Sequence, residues 1–76
     1  MGLGAGGVDR QSIDSRSLAS VGYDMTSRTL EIEFVGGSVY RYFDVPAAVF
    51  DGLLAAESAG RYFNAHVRDH YRFTRC

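Results

Sequence analysis

A small α+β fold is what this sequence predicts: a three-stranded antiparallel meander followed by two short helices packed on one face, in the order β-β-β-α-α. Three observations carry that expectation. Apolar residues recur at period two up to Val45 and at spacings of three and four beyond it. A Gly36-Gly37 pair separates two alternating runs, as in a hairpin. The single proline, Pro46, stands where the period changes.

The first strand is expected over Leu18 to Met25, with Ala19, Val21 and Tyr23 on one face, and Thr26-Ser27-Arg28 supplies a turn. Thr29 to Val35 alternates cleanly, Leu30, Ile32 and Phe34 facing one way and Glu31 and Glu33 the other. Val39 to Val45 forms the third strand. Pro46 suits the first position of a helix, where its missing N–H is harmless, and Asp44 is placed to cap it or to favour its positive end. That helix, reaching about Ala56, puts Val49, Leu53 and Ala56 on one stripe, widened by Phe50 and Leu54. Gly52 weakens it by roughly 1 kcal/mol relative to alanine. Ser58 caps a second helix whose buried stripe is Phe63, Val67 and Tyr71.

Seventy-six residues make one domain, close to the size at which a core only just offsets chain entropy. A hydrophobic fraction of 46% with five Phe and five Tyr favours a folded globule over a disordered tail. Residues 1–16, with four glycines among the first seven positions, read as a flexible arm, leaving 17–76 as the domain. Gly2 to Gly7 formally matches the dinucleotide fingerprint G-x-G-x-x-G, but no strand precedes it to aim a phosphate at a helix, so it is rejected. Gly6 stands where a myristoylation signal needs Ser or Thr. No apolar run approaches a membrane span, and one terminal cysteine, Cys76, fits a reducing, cytoplasmic setting.

The formal charge is −1 but unevenly spread. Residues 1–60 carry four Arg against eight Asp or Glu, leaving −4, whereas residues 61–76 carry four Arg against Asp69, leaving +3. All the basic residues are arginines, the better bidentate phosphate partner, although codon composition alone also yields such usage.

Tyr40-Arg41-Tyr42 is informative through its register. A two-residue Gly36-Gly37 loop would pair Ile32 with Arg41, driving the arginine onto the apolar face and the tyrosines among glutamates. A three-residue loop, Val35-Gly36-Gly37 with Gly37 left-handed, pairs Ile32 with Tyr40, Leu30 with Tyr42 and Glu31 with Arg41. A one-residue slip reverses every face, and consistency favours the second register. Tyr40 and Tyr42 then lie against the helices, in the core or at its rim, with Arg41 and Phe43 outward.

The combined pattern resembles the KTSC domain from Ser17 to about Phe73. The matching residues are Ser17, Val21-Gly22-Tyr23-Asp24, alternating Leu30, Ile32 and Phe34, Gly37, Tyr40 and Tyr42, Val45-Pro46, Ser58, Gly60, Tyr62-Phe63-Asn64, Val67-Arg68 and Tyr71. The family is named for a module at the C-terminus of some lysyl-tRNA synthetases and also occurs as small bacterial and phage proteins. The resemblance implies a fold, and its synthetase association implies RNA binding.

Arg61, Arg68, Arg72 and Arg75 fall at i, i+7, i+11 and i+14, one face of a helix if the helix continues that far. Such a stripe tracks a phosphate backbone, with Arg41 or Tyr62 adding contacts; its ordinary reading is a solvated face, with Arg68 paired to Asp44 or Glu57. His66 and His70 share the i, i+4 spacing of helical metal sites, but a zinc site needs further ligands, and Val67 stands where H-E-x-x-H needs Glu. No metal or cofactor is expected. Neither is catalysis: the serines fall where turns and caps want serine, Cys76 lacks an activating neighbour, and so small a domain is not expected to hold a useful pocket. The expected function is a non-enzymatic module binding RNA or tRNA through Arg41, Arg61, Arg68 and Arg72. The alternatives are a protein-binding or self-associating module, a homodimer or a phage or mobile-element protein acting on a host factor, and an oligomer holding a nucleotide-like ligand between subunits.

Overall fold

The computed structural model describes residues 9–76. Among them the α+β class holds, but the sheet has five antiparallel strands in sequential order rather than three. They are β1 (Arg10–Ser12), β2 (Leu18–Asp24), β3 (Thr29–Phe34), β4 (Val39–Tyr42) and β5 (Phe73–Arg75), with α1 (Ala47–Ala55) and α2 (Ala59–His66) between the last two. The two added strands are three residues each and exposed, too short to show a period. β1 lies in the segment expected to be an arm, pairing Arg10 to Ser12 with Gly22 to Ser20. The glycine-rich part of that arm, with its rejected nucleotide and myristoyl signals, lies outside the described residues.

The β3–β4 register is that of the three-residue loop: Leu30 opposite Tyr42, Glu31 opposite Arg41, Ile32 opposite Tyr40. Ser38 C=O accepts from Phe34 N–H at 2.8 Å, and both Gly36 and Gly37, not Gly37 alone, take positive φ (109° and 103°). Two consecutive left-handed positions are readily filled only by glycine. At the β2–β3 turn the Asp24 carboxylate accepts from Thr26 N–H at 2.9 Å, which, with Ser27 assisting, holds its pKa below the ordinary carboxylate value.

β2 departs from the simple alternation. A bulge between Leu18 and Ser20 places Leu18, rather than Ala19, on the buried face beside Val21. The core lies between this face and the helices: Leu18, Val21, Leu30, Ile32, Tyr42 and Val45 meet Leu53, Ala59, Phe63 and Val67. Pro46 is the N-cap of α1 rather than its first residue. Asp44 does not cap that helix; it adopts a left-handed φ of 58° and pairs with Arg72 at 3.5 Å, both side chains exposed. Ser58 caps α2 as expected, its hydroxyl accepting from Arg61 N–H at 3.3 Å.

The second helix stops early. Phe63 C=O accepts from both Val67 and Arg68 N–H at 2.9 Å, and Asp69 turns left-handed at φ 67°. The chain then crosses to the free edge of β4, where Phe73 pairs with Tyr42 and Arg75 with Tyr40. Completing the sheet edge satisfies backbone groups that a continued helix would leave unpaired along β4. The expectation of one helix through Tyr71 is therefore corrected, although Tyr71 still packs against the core.

Candidate ligand cleft

The two faces of the sheet do different things. On the outer face the pairing aligns Arg10, Gly22, Glu31 and Arg41 in one cross-strand row. Strands lie about 4.8 Å apart, so Arg10 must cross β2 to reach β3. Gly22 leaves the room: a Cβ there would stand 2.3 Å from the Asp9 carbonyl oxygen and 3.0 Å from Arg10 Cγ. Arg10 Nη1 thus pairs with Glu31 Oε2 while Arg41 Nε donates to Oε1 at 2.9 Å, leaving the Glu31 side chain 6% exposed. The Glu31 bond raises the Arg41 pKa above its ordinary value. Beside this triad Ser20 Oγ donates to Glu33 Oε1 at 2.8 Å.

The inner face carries an open cleft of about 670 Å³ between the β4–β5 end of the sheet and α2. A pocket of this size was not expected of so short a chain. It exists because the helices cover Val21 and Leu30 but leave the distal ends of β4 and β5 partly uncovered. Tyr40, Tyr42 and Phe73 form one aromatic slab, with centroids 5.6–6.4 Å apart and rings tilted by 25–48°. Phe34 and Phe63 meet that slab edge-on, Phe34 against Tyr40 at 5.5 Å and Phe63 against Tyr42 at 5.5 Å. Tyr42 is 5% exposed and burial pushes its phenol pKa upward, with Tyr40 adding to it. Phe73 is 56% exposed and forms the accessible side of the slab.

Polar groups rim the aromatics. Asn64 comes from α2, Arg68 and Asp69 from the turn that ends it, and Ser17 and Ser38 from the loops opposite. Arg75 Nη2 donates to Ser38 Oγ at 3.3 Å, which brings a second guanidinium to the rim.

The arginines expected on one face are dispersed by this fold. Arg68 lines the cleft. Arg41 is on the opposite face of the sheet, bonded to Glu31. Arg61 borders an adjoining groove with Asp14, Arg16 and Glu57, which meets the cleft at Ser17, Gly60 and Asn64. Arg72 lies in a third hollow beside Phe43 and pairs with Asp44. The helical stripe fails because its last three members are beyond the helix. The family-motif tyrosines, Tyr40 and Tyr42, are on the helix side as the register argument required, yet they also wall the cleft, so core and site share them. Sequence reasoning missed Phe73 as a site residue, and it had Asn64 only within the family pattern and Arg75 only on the helical stripe; the alternation in Phe73-Thr74-Arg75 was a signal, but a three-residue one. His66 packs on Tyr62 at 4.4 Å and closes α2, so the His66–His70 helical spacing is not realised. Among the described residues no group of three or more His, Cys, Asp or Glu could hold a metal ion.

Known proteins bear on this chain as a whole. The KTSC domain profile matches residues 14–71. A crystal structure of a KTSC domain protein from Yersinia pestis superposes with a TM-score of 0.86 at 31% identity, covering 92% of this chain and 99% of that one. A protein from Stutzerimonas stutzeri is 46% identical over 69 residues, 90% of this chain and 97% of its own length. A lysine–tRNA ligase from Nostoc punctiforme is 43% identical over 51 residues, 67% of this chain but 9% of the ligase. Profile, relatives and structure agree, and the chain belongs to the KTSC domain family.

Proposed function

We propose that this chain is a non-enzymatic binding module for single-stranded RNA, and that it binds through the aromatic cleft rather than through an arginine helix. The observation that carries the reading is the conjunction in one cleft of an aromatic slab, Tyr40, Tyr42 and Phe73, open to solvent on its Phe73 side, with Arg68 in the wall and Arg75 at the rim. Flat apolar rings hold an unpaired base by stacking, and guanidinium groups hold its phosphate. The similarity of this segment to part of a lysine–tRNA ligase supports RNA as the polymer. A cytoplasmic setting follows from that reading; among the described residues no helix is long and apolar enough to cross a membrane.

Titration of fluorescently labelled single-stranded RNA at low salt tests the proposal. Binding is expected to weaken as salt is added. Phe73→Ala should lose about 1–3 kcal/mol of binding, the usual yield of one base-stacking ring. Arg61→Gln and Arg72→Gln should leave binding unchanged. Absence of binding at high micromolar protein, or equal losses from Arg61→Gln and Phe73→Ala, overturns the reading.

A second reading rests on one observation: Phe73, largely exposed, sits on β5 at the edge of the sheet. An exposed aromatic edge strand pairs readily with another chain, a protein partner or a second copy. Sedimentation across concentration separates the readings, since a strict monomer that binds RNA sinks this one.

A further inference from the structure

We infer that the cleft accepts a single base with its own phosphate, as a free nucleotide or at the end of a strand, and does not track a running backbone. This rests on the nucleic-acid reading above and narrows it.

Three features limit the ligand. The first is size: about 670 Å³ falls in the range of small-molecule sites, roughly 300–1,000 Å³. The second is ring arrangement. Proteins that follow a strand offer successive bases separate stacking platforms. Here Tyr40, Tyr42 and Phe73 pack on one another, and with Tyr42 buried and Tyr40 half-buried the main stacking surface is that of Phe73.

The third is charge. Arg68 and Asp69 line the cleft, and Arg75 bonds Ser38 at its rim. One guanidinium in the wall and one at the rim supply contacts for a phosphate or two at most, and the Asp69 carboxylate opposes a longer run. The other nearby arginines are each set beside carboxylates. Arg41 faces the other side of the sheet against Glu31, Arg72 pairs with Asp44, and Arg16 and Arg61 border an adjoining groove that they share with Asp14 and Glu57.

The test is calorimetric titration with a nucleoside 5′-monophosphate, a dinucleotide and a linear single-stranded RNA of about twelve nucleotides, all of one base, at two or more salt concentrations. The expected result is an affinity that stays within about threefold from dinucleotide to the longer RNA, with a log–log salt slope no steeper than about −1.5, the release from one or two phosphates at roughly −0.7 each. Mononucleotide binding of equal strength supports a free nucleotide as the source. Loss of the mononucleotide with retention of the dinucleotide supports a strand end.

A tenfold or greater gain from dinucleotide to the longer RNA, with a slope steeper than about −2, overturns the inference while leaving RNA binding standing. Failure of every length to bind overturns both. Arg68→Gln supplies the internal control: it should reduce binding of mononucleotide and longer RNA by the same factor. A larger loss for the longer RNA counts against a one-nucleotide site.

Discussion

Glu31 shows how one residue can hold a sheet face together. Its carboxylate is nearly removed from water yet accepts from guanidinium groups on both sides, Arg10 and Arg41. A buried charge is tolerable when its lone pairs are used, and breaking such a pair costs more than forming it gained. The two arginines remain about one-third exposed, which moderates the loss. Glu31→Gln keeps the shape and removes the charge, and denaturant melts should show destabilisation of about 1–3 kcal/mol. An unchanged midpoint would mean the triad is electrostatically idle. Tyr42 acts at the opposite pH limit. Burial raises its phenol pKa above the unfolded-state value, so the unfolded chain releases that proton first. Its contribution is fully present below about pH 10 and is lost as pH rises through the higher folded value. Tyr42→Phe should flatten the alkaline fall in stability, which thermal melts between neutral and strongly alkaline pH would detect.

At the scale of elements, the contact between the helices turns on Gly52. A Cβ at that position would stand 2.1 Å from the Tyr62 hydroxyl oxygen and 2.5 Å from the ring carbon bearing it. The glycine that weakens α1 in isolation is therefore the one that lets α2 approach. Gly52→Ala should destabilise the native protein, since the Tyr62 ring must shift. In a Tyr62→Ala background the same change should stabilise by up to about 1 kcal/mol, because only the helix propensity of alanine remains. A double-mutant cycle measures this reversal of sign, and additivity would remove the proposed contact. The early end of α2 belongs to the same scale. Phe63 C=O takes two amide donors and Asp69 turns left-handed, which frees the last residues to pair with β4. That pairing carries Phe73 to the tyrosines and Arg75 to Ser38, and so builds one wall of the cleft.

For the whole molecule, a near-neutral charge is distributed so that neither face of the sheet is a broad basic surface. The outer face is occupied by the Arg10–Glu31–Arg41 row and the Ser20–Glu33 bond. The inner face carries the core and, at one end, the cleft. Affinity for a polyanion by charge alone should accordingly be weak, and any binding should depend on the aromatic slab.

Much of this arrangement was legible in the sequence, because it depends on local pattern. Alternation over Leu30, Ile32 and Phe34 specified a strand with one buried face. Requiring every face to agree selected the register that places Glu31 beside Arg41 and sends Tyr40 and Tyr42 inward, and the combined motifs carried the family. What only the tertiary structure decided was non-local. Three-residue strands have no period to read, and they form because neighbouring strands offer unpaired backbone groups. Where α2 stops depends on the open edge of β4, so the four arginines at helical spacing could not be placed from spacing alone. Tyr40-Arg41-Tyr42 identifies the fold from sequence. Only the return of Phe73 to the same sheet, beside Arg68, makes those tyrosines the wall of a cleft.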